Sequence, residues 1–248
     1  MNTLFVAWQQ PDSREWIPVA KLERKDERYF FSYTHGVHRA TNFLPFDRMD
    51  RFDVVYESAF IFPLFANRLI SKSRPEFHDY LRWLGLNSTT DDPLSMLALT
   101  GGIRGTDSIE LFRPPSISNA GDYKVEFFAR SLSHLPKEAL AHIAHLAQGE
   151  RLFLMRDCQN KVDPLALAIR RDKPPVFVGF CPKYHAQDLG ELLLKSDKEV
   201  EVTVKCVNID APLNMRLLCS VSAVAPAGFA PLDASTDFQP IAGAVPQG

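Results

Sequence analysis

Residues 200–206 read Val-Glu-Val-Thr-Val-Lys-Cys, which sets Val200, Val202, Val204 and Cys206 at one parity and Glu201, Thr203 and Lys205 at the other. Side chains alternate across a strand, so this pattern demands a sheet with one buried face and one wet face. A chain that carries it must lay a second layer over the valines. Nearby segments supply the material: residues 123–130 (YKVEFFAR) and 216–223 (RLLCSVSA) are rich in β-branched and aromatic residues and read as strands. Residues 149–189 read as strand, polar turn, strand, turn, strand and helix. Ahead of them, Pro136 opens a helix with Leu140 and Ile143 facing inward and Gly149 just past its end. With roughly six strands and two helices, residues 123–223 fit a small, partly open β-barrel of the OB type, whose strand face handles single-stranded nucleic acid in many proteins.

The preceding half is mixed. Residues 4–8, 16–22 and 28–34 read as strands, and residues 41–53 as turns. Three short helices follow. The first spans residues 62–70, with Pro63 in its first turn. The second begins at a capping box of Ser73 and Glu76 and is stopped by Gly85. The third has Asp92 as N-cap and Pro93 at N1, with Leu94, Leu97 and Ala98 on one face, and ends at Gly101 and Gly102. A strand at 108–112 closes this half. Residues 113–122, rich in Pro, Ser, Asn and Gly, read as a linker. Beyond residue 223 the chain holds mostly Ala, Pro and Gly with little to bury, and reads as a loose tail. The expected organisation is therefore α+β: a module at 1–112, a linker at 113–122, a barrel at 123–223 and a tail at 224–248.

Charge limits the function. The formal net charge is −2, and a protein that binds nucleic acid over its whole surface shows a basic excess, so any such site must be a local patch. The first residues form neither a basic leader nor an apolar run, and no segment approaches the ~20 apolar residues of a membrane helix, which points to the cytoplasm and no membrane partner. The four cysteines are far apart and read as small buried hydrophobes. Phe43, Phe46, Phe52, Phe60, Phe62 and Phe65 crowd one region; most belong in a core, and any left exposed would mark a partner surface.

Catalytic patterns are weak. His142 and His145 stand three apart on a helix, but a third metal ligand at sensible spacing is missing. The glycine-rich run 100–106 follows a helix, lacks a Walker lysine, and reads as a C-cap and turn. Residues 21–28 (KLERKDER) mix both signs and read as a solvated turn. Ser58, Ser71 and Ser73 lack a nucleophile elbow, and Cys158 and Cys181 lack a histidine partner pattern. The expectation is no enzyme, no metal and no cofactor.

Two blocks in residues 149–189 resemble the HIRAN domain, a small β-barrel module found on DNA-repair remodellers and as stand-alone bacterial proteins. The first is Asn160-Lys161-Val162-Asp163-Pro164-Leu165-Ala166, led by Arg156-Asp157; the second is Val178-Gly179-Phe180 followed by Pro182-Lys183, Ala186 and Leu189. The resemblance extends over residues 124–223. It implies a pocket for the 3′ end of a single strand, with Asp163 accepting from the terminal hydroxyl and Arg130 and Lys183 meeting phosphates; Asn160 caps the turn. Arg156 and the Arg170/Arg171 loop, which reads either as a solvated hairpin tip or as a phosphate contact, complete the candidate set. Two positions depart from the DNA-binding members: Arg130 is followed by Ser131 and Leu132 instead of an aromatic pair, and Val162 stands where an aromatic precedes the Asp. Phe177, Tyr184 and Phe128 are the substitutes in reach. The N-terminal half resembles the small N-terminal subdomain of HipA-type toxin kinases through Tyr56-Glu57-Ser58, Phe62-Pro63-Leu64-Phe65 with Arg68-Leu69, and Asp91-Asp92 with Leu97 and Gly101-Gly102. That implies a protein-contacting module without kinase machinery.

The expected function is non-catalytic binding of DNA or RNA, at an end or along a single strand, coupled to a module that recruits a protein. The alternative is a protein-interaction module that does not bind nucleic acid.

Overall fold

The computed structural model describes residues 2–86, 92–196, 199–232 and 235–243. The chain divides into two compact units, one formed by residues 1–77, 89–114 and 232–248, the other by 78–88 and 115–231. The class is mixed α+β, with two antiparallel sheets and, among the described residues, five α-helices.

The first unit is built on β1 (Asn2–Gln9), β2 (Trp16–Lys25), β3 (Arg28–Tyr33), β4 (Tyr56–Ser58) and β5 (Ile109–Phe112), in the order β4-β3-β2-β1-β5. The charged run 21–28 spans the ends of two strands and the exposed turn between them. β2 continues through Lys25 and β3 starts at Arg28. Asp26 and Glu27 make the reversal with φ of 49° and 61°, the positive pair that a tight two-residue hairpin needs.

The helices of this unit are α1 (Pro63–Ala66) and α3 (Pro93–Thr100); α2 (Phe77–Trp83), apart from Phe77, falls in the second unit. α1 is shorter than its apolar run suggests. α2 starts later than the capping box places it, because the Ser73 hydroxyl pairs with that of Ser71 at 2.8 Å. α3 matches its signals: Asp92 accepts from the N–H groups of Leu94 and Ser95, and Gly101 closes the helix in the left-handed region. Phe31, Phe65, Leu94 and Leu97 are fully buried in the core. Phe43, Phe46 and Phe52 pack about the Tyr33 ring, whose hydroxyl donates to the Met49 carbonyl at 2.7 Å. Arg68, from the HipA-like block, is held internally by the Gly102 carbonyl and by Asp107.

Residues 235–243 are not loose. The Phe238 ring lies 4.9 Å from that of Phe5, Arg39 pairs with Asp237, and Ile241 donates its N–H to the Tyr33 carbonyl at 2.9 Å. Two apolar residues in an Ala- and Pro-rich stretch suffice to anchor it. The end of the expected tail, 244–248, lies outside the described residues.

The second unit contains β6 (Ser116–Ile117), β7 (Asp122–Phe128), α4 (Lys137–Ala144), β8 (Arg151–Arg156), β9 (Leu167–Arg171), β10 (Val176–Phe180), α5 (Lys183–Lys195), β11 (Glu201–Val207) and β12 (Leu217–Val224). The sheet order is β10-β9-β8-β11-β12-β7-β6. Thus the supposed linker carries a strand, β6, which pairs with β7. Val200, Val202 and Val204 enter the core as their alternation demands. A register shift between Val204 and Cys206 then breaks the pattern: Cys206 is only half-buried and Val207 turns to the core.

The sheet is not a closed barrel. Its ladder is open, and one bridge ties the chain just beyond β7 to the end of β10. Arg130 donates its N–H to the Phe180 carbonyl at 2.8 Å, and Phe180 returns the bond at 3.0 Å. The cysteines are free. Cys181 and Cys219 are buried, whereas Cys158 is exposed on the β8–β9 turn instead of buried. Among the described residues no helix is long and apolar enough to cross a membrane.

Candidate nucleic-acid interface

The turn between β8 and β9 is built from side-chain bonds to its own backbone. Asn160 Oδ1 accepts from the N–H groups of Val162 (3.0 Å) and Asp163 (2.9 Å), and Asn160 Nδ2 donates to Asp157 at 3.3 Å. Asp163 Oδ1 accepts from Leu165 N–H at 3.0 Å. Short polar side chains that bond two or three residues along fix such loops without strand partners. Asn160 is therefore the internal brace of the turn. Among the described residues nothing bonds to Asp163 Oδ2, so one carboxylate oxygen remains available.

Arg130 enters from the other side of the sheet's open seam. The bridge to Phe180 fixes its backbone, and the bridge requires Gly179. Gly179 sits at φ 140°, and a Cβ there would lie 3.0 Å from Ala129 Cβ, the Arg130 carbonyl oxygen and Leu132 Cδ1. The Arg130 guanidinium donates to the Tyr184 hydroxyl at 3.2 Å, in the first turn of α5. Burial raises the Tyr184 phenol against the pull of Arg130. Burial, with Arg130 adding to it, lowers the neighbouring His185 to about 3, so this imidazole is neutral at physiological pH. Burial pushes the Cys181 thiol well up; Arg130 opposes that shift, while Asp163 and Asp188 reinforce it. Backbone bonds connect the turn to Arg130: Ala166 N–H donates to the Asp163 carbonyl at 3.1 Å, Cys181 N–H to the Leu167 carbonyl at 2.9 Å, and Phe180 pairs with Arg130. α5 starts after Pro182, which gives no side-chain cap; the Pro182 carbonyl accepts from His185 N–H at 3.0 Å, and the positive end of the helix dipole lies next to Lys183.

The other expected phosphate partners divide. Lys183, half-buried, and Arg156, exposed, make no ion pair among the described residues; Arg156 lies along α5, where a Cβ on Gly190 would come within 3.0 Å of its Nη2. Arg170 and Arg171 are not brought to this locality as a pair. Arg171 pairs with Glu150 at 2.6 Å, while Arg170 reaches Asp172 at 3.0 Å and lies 4.9 Å from the Phe153 ring centroid. Adjacent strand residues face opposite sides, which is why a basic dipeptide does not make a basic patch here. Of the substitute aromatics, Phe128 is buried, Tyr184 is bonded to Arg130, and Phe177 is 48% exposed. Val162, in the place of the absent aromatic, is 72% exposed. Sequence reading missed His185 and Cys181 as neighbours of Arg130, because only the bridge across the seam places residues 130 and 180 together.

Residues 122–225 match the HIRAN domain. The match spans β7 to β12 and includes every residue of the turn, the bridge and α5. A HIRAN domain suggests a nucleic-acid-binding role for this unit. Among solved structures, one titled as a crystal structure of a protein from Lactobacillus plantarum is similar at 16% identity, covering 43% of this chain and 100% of that one, with a TM-score of 0.33. No curated protein matches the chain. None of these comparisons supports the HipA-like reading of the N-terminal half.

Proposed function

We propose that the HIRAN domain binds single-stranded nucleic acid at a 3′ end, without catalysis, in the locality bounded by the Asn160–Asp163 turn, Arg130 and the start of α5. The observation that carries this reading is the Arg130–Phe180 bridge, which holds Arg130 at the end of β10, where its guanidinium reaches Tyr184 in the first turn of α5. Arg130, Lys183 and the positive end of the α5 dipole attract phosphate oxygens. Asp163 Oδ2 accepts from the terminal hydroxyl, Asn160 keeps the turn in shape, and Arg156 adds charge along the strand's path. Val162 and Leu165, both exposed, offer apolar contact to a base where an aromatic would stack. A strand with a 2′-hydroxyl fits the same chemistry, so DNA and RNA are both substrates of this reading.

Anisotropy titrations with labelled single strands ending in a 3′ hydroxyl or a 3′ phosphate test it across a salt series. Binding that weakens with salt and with the 3′ block, and falls in Asp163→Asn and in Arg130→Ala/Lys183→Ala, is the expected result. Binding indifferent to the 3′ end and to Asp163→Asn would refute the end-recognition reading.

A second reading concerns the first unit. Phe60 is 81% and Leu44 77% exposed, in a phenylalanine-rich stretch where Phe65 is buried and Phe43, Phe46, Phe52 and Phe62 are only partly so, which favours recruitment of a protein partner there. Co-purification that is lost in Phe60→Ser/Leu44→Ser tests it.

A further inference from the structure

The outer face of the second sheet carries a feature that the turn and the seam do not use. Three residues stand in register across three adjacent strands: Phe153 on β8 pairs with Arg170 on β9, which pairs in turn with Phe177 on β10. Leu152, Ile169 and Val178, their chain neighbours, belong to the core, so the row points away from it. The Phe153 ring is approached by two guanidinium groups, Arg170 at 4.9 Å and Arg151 at 5.1 Å from its centroid. Phe177 is 48% exposed, and Met155, next to Phe153 on the same parity, is 40% exposed. Two rings therefore flank an arginine on a solvent-facing sheet, separated by two strand spacings, or about 10 Å.

We propose that this row is a second nucleic-acid contact, a stacking strip for unpaired bases of a single strand. The proposal rests on the reading that the domain binds nucleic acid, and extends it to residues outside the 3′-end locality. Rings accept the π-face of any base, and a guanidinium between them serves both stacking and the phosphates. Charge selects this occupant over an apolar protein surface. Such a surface would strip water from Arg151 and Arg170 and from their carboxylates, Glu199 and Asp172, a cost that the pairing does not reliably repay. The carboxylates in reach are Glu199 on Arg151, Asp172 on Arg170 and Glu150 on Arg171. The first two are surface pairs, weak enough to give way to a phosphate.

The test compares a labelled oligothymidine with an abasic strand of equal length, each with a free and with a blocked 3′ end. Wild type is measured beside Phe153→Leu/Phe177→Leu, which keeps apolar bulk but removes the rings, and beside Asp163→Asn. The expected result is a loss of about tenfold or more for oligothymidine in the double leucine variant, since each stacked base contributes a factor of roughly 5 to 150. Wild type should bind the abasic strand as weakly as that variant binds oligothymidine, a readout that needs no folded variant. Wild-type affinity in a folded double leucine variant, or equal wild-type affinity for abasic and oligothymidine strands, overturns the strip. Binding that ignores the 3′ block and Asp163→Asn, yet is lost in the leucine variant, removes the end-recognition reading and leaves the strip standing. Absence of wild-type binding at low salt overturns both.

Discussion

Replacing Gly179 by alanine should destabilise the second unit more than any other single methyl addition to it. The backbone at φ 140° lies in a region that L residues enter only with strain, of order 1–3 kcal/mol. The new Cβ would also stand 3.0 Å from three atoms, one of which, the Arg130 carbonyl oxygen, is fixed by accepting from Phe180 N–H. A backbone atom held by a bridge cannot give way as a side-chain end can, so relief requires opening the bridge, at ~1 kcal/mol for each of its two hydrogen bonds. The sum is about 3–5 kcal/mol, a large share of the ~5–15 kcal/mol that holds a domain. In urea, with a slope near ~2 kcal/mol per molar, the midpoint should fall by roughly 1.5–2.5 M. Gly190→Ala is the matched control. Its Cβ meets only the free end of the Arg156 side chain, and alanine is better than glycine inside α5 by ~1 kcal/mol, so the midpoint should hold or rise. If Gly179→Ala unfolds within about 0.5 kcal/mol of wild type, the seam is not tight and the argument that positions Arg130 through it fails.

Three further outcomes follow from other side chains. His185 takes a proton near pH 6.5 when unfolded but resists to about 3 when folded, so unfolding binds a proton in that window. Stability should be full above pH 6.5 and fall by up to ~1.4 kcal/mol per pH unit below it, and denaturation of His185→Phe across pH 7.5 to 5 should lack that slope. Asp92→Ala removes the acceptor for Leu94 and Ser95 N–H and should cost the first unit about 1 kcal/mol by thermal unfolding, whereas Asp92→Ser should restore most of it. Arg39→Ala cuts the ties to Glu15 and Asp237, and should speed amide exchange in residues 235–241 while leaving β2 protected.

The sequence made some elements legible because their cause is local. Asp92, Pro93 and Gly101 act within one helix, and α3 appears where they place it. The alternating valines of β11 needed only the pleat. Failures came where a distant partner decided the outcome. Ser73 and Glu76 satisfy the capping-box spacing, yet the Ser71 hydroxyl draws Ser73 into a turn and α2 starts at Phe77. Cys206 has the right parity for the core, yet a bulge against β12 moves it off. The described tail looked featureless because its anchors, Phe238 and Ile241, find their rings and carbonyls on β1 and β3, more than two hundred residues earlier. The two HIRAN blocks were readable from the turn and strand motifs alone, but the seam that joins Arg130 to Phe180, and the row that joins Phe153 to Phe177, are products of strand register.

The same distinction explains how a slightly acidic chain can hold a site for a polyanion. A sum of charges treats all cations alike, but many of these are already compensated. Arg39, Arg51, Arg68, Arg82, Arg151, Arg171 and Lys205 each face a carboxylate. Around the β8–β9 turn the balance differs. Arg156, Lys161 and Lys183 have no carboxylate partner among the described residues, while Asp157 and Asp163 direct their oxygens to Gln159, Asn160 and Leu165. Those acids hold the loop, and the nearby cations keep their full field for a ligand. Reversing one compensated cation, as in Lys205→Glu, should therefore leave strand affinity nearly unchanged at moderate salt, whereas Lys183→Glu should lower it severalfold and flatten its salt dependence. Equal losses from the two reversals would mean that affinity follows net charge, and that the turn is not the site.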